Sequence, residues 1–210
     1  MADTLILYLV LFIPGAVSGG VLPEIIAFSA LRELSRLLLY SIPALALVWR
    51  FLLLSKSAKE WDVLKIRLRD FRSFLMALPA LLITGIAISF IAPKLSGSLP
   101  IPRLEAPTGA SGWIILILSC FGTGYLEESY FRFYILNNLE KAVPNAKKRI
   151  FISVMLFSFC HIYEGPGGAI NALLAGIFLS AIFVRERGLH GIAWAHGIYN
   201  LLVYVLGKSG

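Results

Sequence analysis

The chain has 210 residues, of which 58% are hydrophobic and only 15% are charged. Water-soluble domains average about 45–50% apolar and about 25% charged residues, so this composition excludes an ordinary soluble fold. The formal net charge of +7 comes from basic residues that are dispersed along the chain, which argues against a nucleic-acid-binding protein. The sequence therefore predicts an all-α, polytopic membrane protein in which residues 1–210 form a single integral-membrane domain.

Apolar runs separated by charged or Pro/Gly-rich breaks predict a bundle of about seven transmembrane helices. The first run carries Asp3 and has no basic segment before it, so we expect a retained membrane helix rather than a cleaved signal peptide. Within residues 55–70, Trp61, Leu64 and Leu68 recur at helical spacing among charged neighbours, which predicts a short amphipathic helix on the membrane surface. The predicted crossings are residues 5–21, 34–54, 71–92, 113 through the glutamate pair at 127–128, 150–161, 169–184 and 189–206.

The distribution of basic residues predicts the orientation of the chain. Most of the 19 Lys and Arg residues lie in predicted loops on the membrane side that holds the N-terminus, and loops rich in Lys and Arg face the cytoplasm. We therefore expect a cytoplasmic N-terminus. Cys120 and Cys160 lie in apolar helical stretches, where buried thiols are expected rather than a disulfide.

A small set of polar residues lies inside or at the ends of the predicted crossings. A charged side chain near the bilayer centre costs on the order of 2.5–3.5 kcal/mol on insertion scales, so such groups normally face the bundle interior and find partners. Counted at about 1.5 Å per residue, those on the fourth, fifth and seventh crossings fall at or below the midplane, within reach of a cytoplasmic cavity. The set comprises Glu127, Glu128, Arg132, His161, Asn171, His196 and Asn200.

The spacing of these residues separates the two glutamates. Glu128 and Arg132 are four residues apart, so they share a helix face and can form an ion pair that fixes helix packing. Glu127 is turned about 100° away and is not held in the same manner. His196 and Asn200 are also four apart, and as structural residues they would hydrogen bond between helices. An unpaired carboxylate at Glu127 has no comparable packing purpose.

A carboxylate and imidazoles at similar depth in a cavity suit the activation of water. Glu127 would accept a proton from the water as a general base, and His161 would help to orient that water. His196 and Asn200 would donate hydrogen bonds to an oxyanion that develops on a peptide carbonyl. The residues therefore predict an intramembrane hydrolase.

Four alternatives stay open at this point. Two His and a Glu can in principle bind zinc, although no HExxH motif is present and Asn is a poor zinc ligand. Cys160 is a weak candidate nucleophile because its neighbour His161 points about 100° away on a helix. Intramembrane Glu and His also form proton relays in transporters, but no pair of related halves is found. A non-catalytic immunity or scaffold protein would keep the fold without needing Glu127.

Three motifs resemble those of the CPBP intramembrane proteases, a family that includes type II CaaX prenyl proteases and bacterial proteins linked to bacteriocin processing and self-immunity. EESYFR matches EExxxR, FSFCH matches FxxxH and HGIYN matches HxxxN, in that order on three late helices. The resemblance covers a catalytic core of about residues 112–205. It implies a glutamic-type intramembrane endopeptidase.

The resemblance also implies a role for each motif residue. Glu127 would be the catalytic glutamate, with His161 sharing in water activation, and Glu128 and Arg132 would be the supporting ion pair. The His and Asn of HxxxN would stabilise the oxyanion. No metal or other cofactor is implied, and the substrate would be a membrane-anchored or lipidated peptide or protein. The compact chain is similar to bacterial members, so we expect the bacterial inner (plasma) membrane.

Overall fold

The computed structural model describes residues 2–17, 25–54, 65–96 and 103–206, and these are predominantly helical. The helices are α1 (Ala2–Leu11), α2 (Ile13–Val17), α3 (Ala30–Ser35), α4 (Ile42–Leu54), α5 (Leu68–Ser96), α6 (Ala110–Glu127), α7 (Ile135–Asn138), α8 (Ala146–Phe159), α9 (Gly165–Glu186) and α10 (Leu189–Leu206). The all-α class predicted from composition is therefore confirmed.

Short irregular turns link several of these helices. π-Helical turns at Arg36–Ser41 and Glu128–Tyr134 join α3 to α4 and α6 to α7, and a 3-10 turn at Ile162–Glu164 precedes α9. Two short strands, β1 (Ile25–Ile26) and β2 (Arg103–Leu104), pair in parallel. This two-residue pairing ties the start of α3 to the start of α6 and leaves the fold class unchanged.

Within the described residues, five helical stretches are long and apolar enough to cross a membrane. They are Ala30–Leu54, Leu68–Lys94, Ala110–Asn138, Ile162–Glu186 and Leu189–Leu206. α1 has 10 residues and α8 has 14, which is shorter than the roughly 20 residues of a full crossing. The polytopic membrane bundle is confirmed, whereas the predicted count of seven full crossings is not.

The outer face of the bundle is apolar. Leu75, Ile83 and Phe90 project from α5 and are largely exposed. A soluble protein seldom exposes large apolar side chains in such a row. On a membrane helix the same side chains contact lipid, so this exposure is the expected outer surface of an integral membrane protein.

Several predicted boundaries differ from the structure, and one predicted helix lies largely outside the described residues. Most of the predicted surface helix, including Trp61 and Leu64, lies outside the described residues, and Leu68 begins α5 instead. The EGPGG stretch, predicted as a break before the sixth crossing, contains the first turn of α9. Pro166 fits there because the first N–H groups of a helix have no intrahelical partner. Gly165 has φ +83°, a left-handed conformation that glycine adopts without strain.

α5 and α10 run side by side in the same direction. Gly191 lies directly against the backbone of Asp70, and Tyr199 covers Gly85 eight residues further along α10. The Asp70 carboxylate accepts the backbone N–H of His190 at 3.0 Å, which caps the start of α10. These contacts fix the depth of α10 in the bundle and, with it, the depth of the HxxxN motif.

Candidate active site

α6 and α10 approach each other closely at glycines. A Cβ on Gly124 would lie 2.9 Å from the carbonyl oxygen of Ala193 and 3.0 Å from the amide nitrogen of Gly197, and a Cβ on Gly197 would lie 3.1 Å from the Cα of Phe121. Small residues let membrane helices pack backbone against backbone. Glu128 lies one turn beyond Gly124, so this close approach brings it against α10.

Glu128 is the centre of a buried ionic cluster. Its Oε2 lies 3.2 Å from Nε of Arg132, and its Oε1 lies 2.7 Å from Nδ1 of His196. The side chains of Glu128 and Arg132 are both fully buried. The guanidinium carbon of Arg132 also lies 4.2 Å from the centre of the Phe157 ring, a cation–π contact. The structure brings together the pair expected from i,i+4 spacing and adds His196 as a partner across the helix interface.

The two glutamates lie at a change in helix geometry. α6 ends at Glu127, and the π-helical turn begins at Glu128. The turn is closed by the backbone N–H of Ile135, which donates to the carbonyl of Tyr130 five residues earlier. Such π turns are rare and often occur at functional sites. Here the wider turn carries the whole glutamate–arginine pair.

Glu127 is more accessible than its neighbour. Its side chain is 13% exposed, and its Oε2 lies 3.5 Å from Nε2 of His196. Within the described part of the chain this oxygen has no hydrogen-bond partner. Glu127 is therefore the less restrained of the two carboxylates. The helix spacing predicted an isolated carboxylate, whereas the structure places His196 beside it.

His196 bridges the two carboxylates through its two ring nitrogens. A carboxylate accepts hydrogen bonds, so Nδ1–H of His196 donates a hydrogen bond to Glu128. The contact between Nε2 and Glu127 is then attractive only when a proton lies on one of these two groups. If His196 carries both ring protons, its positive charge and that of Arg132 balance the negative charges of Glu127 and Glu128. Such a balance lowers the free-energy cost of burying the four groups.

His161 lies just beyond α8, next to this cluster. Its Nδ1 is 2.7 Å from the carbonyl oxygen of Phe157, and since a carbonyl only accepts, Nδ1 is the donor. In the neutral ring, Nε2 is then free to accept a proton or a hydrogen bond. The Phe157 ring centre is 4.6 Å from that of His161 and 6.0 Å from that of His196. Among the described residues no hydrogen bond joins His161 to Glu127, but the two lie within electrostatic range.

Asn200 lies one turn beyond His196 on α10 and is half-buried. The structure brings both residues to one face of the helix, but it does not bond them to each other. The adjacent Tyr199 accepts a hydrogen bond of 3.1 Å from Asn171 on α9. Asn171 therefore makes the hydrogen bond between α9 and α10. The side-chain amide of Asn200 has no hydrogen bond to any described residue, so it is available to a ligand.

The geometry bears on two alternative chemistries. The Cys160 Sγ lies 3.4 Å from Nδ1 of His161, so the two side chains do not point apart as helix spacing predicted, because α8 ends at Phe159. Both groups also donate to the Phe157 carbonyl oxygen, at 3.1 Å from Sγ and 2.7 Å from Nδ1. Because that nitrogen is a donor, it cannot take the thiol proton, which argues against a Cys160–His161 nucleophile. Over the described residues, no three His, Cys, Asp or Glu side chains converge in a group that could hold a metal ion.

Three further residues, which the sequence analysis did not identify as candidates, lie near the site. Tyr40 and Tyr163 lie close enough to Glu127 for their side chains to interact electrostatically with its carboxylate. Glu164 lies close enough to His161 for the same kind of interaction. Tyr163 and Glu164 lie two and three residues after His161 of the FxxxH motif, so their position in the sequence could have identified them. Tyr40 lies in the second crossing, and nothing in the local sequence connects it with the later motifs.

Comparison with known proteins gives one match. Residues 109–202 match the family described as Type II CAAX prenyl endopeptidase Rce1-like. No curated protein and no solved structure matches the chain. The matched segment runs from the residue before α6 to residue 202 within α10, and it contains all three motifs.

Proposed function

We propose that the protein is a glutamic-type intramembrane endopeptidase, on the basis of the site geometry and of the match of residues 109–202 to the family described as Type II CAAX prenyl endopeptidase Rce1-like. It would cleave a membrane-associated peptide or the C-terminal tail of a membrane-anchored protein. The observation that carries the mechanism is the difference between adjacent carboxylates. Glu128 is fully buried between Arg132 and His196, whereas Glu127 is partly exposed with one oxygen unbonded within the described chain.

Glu127 would act as the general base. It removes a proton from a water molecule as the water oxygen bonds to the peptide carbonyl carbon, a role for which a positioned carboxylate is suited. Nε2 of His161 would accept a hydrogen bond from the same water, because Nδ1 is engaged by the Phe157 carbonyl. When the carbon–nitrogen bond breaks, the proton held by Glu127 passes to the leaving amine.

The HxxxN residues would stabilise the charge that develops on the carbonyl oxygen. A protonated Nε2 of His196 and the amide of Asn200 are both hydrogen-bond donors, and fixed donors at a developing oxyanion are among the largest catalytic effects. Glu128 supports this role by holding Nδ1 of His196 at 2.7 Å. Arg132, whose Nε lies 3.2 Å from the other oxygen of Glu128, holds this carboxylate in place.

The test is a comparison of protein termini in membranes. The wild type and Glu127→Gln are expressed at equal levels in the native host, and the termini of membrane-associated peptides are compared by mass spectrometry. We expect at least one terminus to disappear in the variant, since loss of a general base typically lowers the rate by about 10²–10⁴-fold. That terminus would also identify the substrate.

Glu140→Gln is the matched control, because this carboxylate is exposed two residues beyond the end of α7 and the substitution makes the same chemical change. Glu140→Gln should leave every terminus unchanged. If Glu127→Gln is folded in the membrane and the termini still equal those of the wild type, the protease proposal is wrong. A non-catalytic immunity or scaffold protein would then be the better description.

A further inference from the structure

A further carboxylate, that of Glu164, lies beside His161 on the turn after α8. Glu164 ends the 3-10 turn that begins directly after His161, and its backbone N–H donates to the carbonyl oxygen of His161 at 3.0 Å. Side chains three residues apart eclipse each other in a 3-10 turn. Glu164 and His161 therefore lie on the same side of this segment, close enough to interact electrostatically.

The first turn of α9 leaves room for the Glu164 side chain. A Cβ on Gly168 would clash with the Cβ of Glu164 and would lie 2.8 Å from its Oε2. Glu164 occupies the N-cap position of α9, but its side chain makes no capping hydrogen bond there. The carboxylate is therefore held against α9 without serving as its cap, so helix capping does not account for this residue.

The surroundings of Glu164 contain one group that can carry a positive charge. The described side chains that interact with its carboxylate are those of Cys160, His161, Tyr163 and Tyr199. In the part of the chain that the structure describes, no Lys or Arg forms an ion pair with it. The imidazole of His161 is therefore the group on which this negative charge acts.

Glu164 also lies at membrane depth. α8 starts with Lys147 and Lys148 in its first turn and has 14 residues, a length of about 21 Å. The hydrocarbon core is about 30 Å thick, so the turn after α8 lies inside the membrane. An ionisable side chain at such a depth is costly and is normally kept where it has a specific partner. His161 is that partner for Glu164.

We propose that Glu164 is a positioning residue that acts through His161: its negative charge sets the pH at which the imidazole takes up a second proton, and so the pH range in which the peptidase is active. This inference rests on the proposed endopeptidase function, in which neutral Nε2 of His161 accepts a hydrogen bond from the water. An imidazolium has only donors and cannot accept that bond. Because a nearby negative charge favours the imidazolium, Glu164 limits activity on the acid side.

Three other titratable groups of the described chain face His161. Glu127 on α6 interacts with it and favours the imidazolium in the same direction as Glu164. The thiol of Cys160 and the phenol of Tyr163, whose ring centre lies 6.5 Å from that of His161, are neutral near pH 7. α2 and the first two turns of α9, which pack on the 3-10 turn, contain no titratable side chain. Substitution of Glu164 alone separates its effect from that of Glu127.

The ionic cluster around Glu128 adds little net charge at His161. The ring of Phe157 lies next to His161, His196 and the guanidinium of Arg132. Glu128 pairs with both of these cationic groups, at 2.7 Å from His196 and 3.2 Å from Arg132. A charge that lies beside its counter-ion has a weak field further away, because the two Coulomb contributions largely cancel.

The experiment measures the protonation of His161 without any substrate. The chain contains three histidines, so protein labelled with carbon-13 at histidine Cε1 and purified on a histidine-free tag gives three ring signals in nanodiscs. The signal of His161 is the one lost in His161→Gln. We expect its titration midpoint to fall by about one pH unit in Glu164→Gln, the lower end of the effect of an opposite charge at about 4–6 Å. The midpoint of His190 should stay where it is.

Glu140→Gln is again the matched control, because it makes the same chemical change at an exposed carboxylate beyond α7. It should leave the His161 midpoint unchanged. Glu164→Asp keeps the negative charge and should retain most of the wild-type midpoint. Glu164→Ala removes the charge and places no side-chain amide against Gly168, so it should match Glu164→Gln. This variant decides the question if Glu164→Gln fails to fold.

The pH profile of cleavage links this protonation to the reaction. For the substrate identified by terminus comparison, the acid limb of kcat/KM should move to lower pH in Glu164→Gln by as much as the His161 midpoint moves, because His161 then stays neutral to a lower pH. An acid limb that does not follow the midpoint overturns the proposal.

The outcomes separate this proposal from the proposed function. An unchanged His161 midpoint in both Glu164→Gln and Glu164→Ala overturns the role of Glu164, even if cleavage depends on Glu127. A lowered midpoint without any cleavage dependent on Glu127 keeps the electrostatic link between Glu164 and His161 and contradicts the peptidase. An equal fall of the midpoint in Glu140→Gln also overturns the proposal, because the net charge of the protein would then be responsible.

Discussion

The two adjacent glutamates differ in what surrounds them, and this difference predicts different effects of mutation. Glu128→Gln removes the counter-ion of Arg132, whose side chain is fully buried. Breaking a buried ion pair by removing one partner typically costs about 3–5 kcal/mol. We expect a loss of this size in the free energy of unfolding, measured by denaturation in detergent. Glu127→Gln, at a partly exposed site, should cost less than about 1 kcal/mol.

A double variant tests whether the uncompensated charge causes this loss. Glu128→Gln combined with Arg132→Met removes both charges and should recover part of the stability, because a neutral replacement of a buried ion pair is often tolerated. Equal losses of stability in Glu127→Gln and Glu128→Gln would contradict the division of roles between the two residues.

At the residue scale, the sequence predicted the side chains of the candidate site more accurately than it predicted their contact partners. The i,i+4 spacing was enough to predict contact between Glu128 and Arg132, because a helix fixes that distance. The bond from His196 to Glu128 could not be predicted, since it depends on how closely two helices distant in sequence approach. His196 was expected to pair with Asn200 in function, and that role stays a prediction.

The close packing of α6 and α10 carries the next prediction. In Gly124→Ala the new methyl group would lie 2.9 Å from the Ala193 carbonyl oxygen and 3.0 Å from the Gly197 nitrogen. These are backbone atoms, so the helices must separate, and the 2.7 Å contact between Glu128 and His196 must lengthen. We expect cleavage of the substrate identified by terminus comparison to fall about 10–100-fold.

Gly15→Ala is the control for this substitution. Gly15 lies in α2, and a Cβ there meets nothing within 4 Å. The methyl group should leave activity unchanged, and replacing a helical glycine by alanine favours the helix. If Gly124→Ala cleaves as fast as Gly15→Ala, the close approach is not needed for the geometry of the site.

Helix bounds were predicted accurately where an apolar run ends at charged residues or glycine. The last crossing was predicted at residues 189–206 and is found as α10 over the same residues. The start of α9 was missed because Gly and Pro were interpreted as a break, whereas Pro166 occupies a position where a helix tolerates it. The π turn at Glu128–Tyr134 had no signal, because no residue type specifically favours that geometry.

At the scale of the whole molecule, helices of opposite direction must meet for the site to form. α10 runs parallel to α5 and antiparallel to α6, since Gly191 lies against Asp70 while Tyr204 clusters with Leu116 near the start of α6. The apolar composition predicted such a bundle, but it could not predict which helices are neighbours. Neighbours are selected by local features such as Gly191, whose effect depends on the opposing surface.

The orientation of this bundle is the last prediction, and it can be tested from both sides of the membrane. Lys147 at the start of α8 and Thr108 before α6 are both exposed, and the alternation of crossings places them on opposite sides. Because basic loops face the cytoplasm, we propose that Lys147 and the N-terminus are cytoplasmic.

A membrane-impermeant maleimide should label Thr108→Cys in intact cells and Lys147→Cys only after the membrane is opened. The unmodified protein is the control, because its Cys120 and Cys160 are buried and should label weakly in either case. The reverse pattern would invert the bundle and place the entrance for substrate on the opposite face.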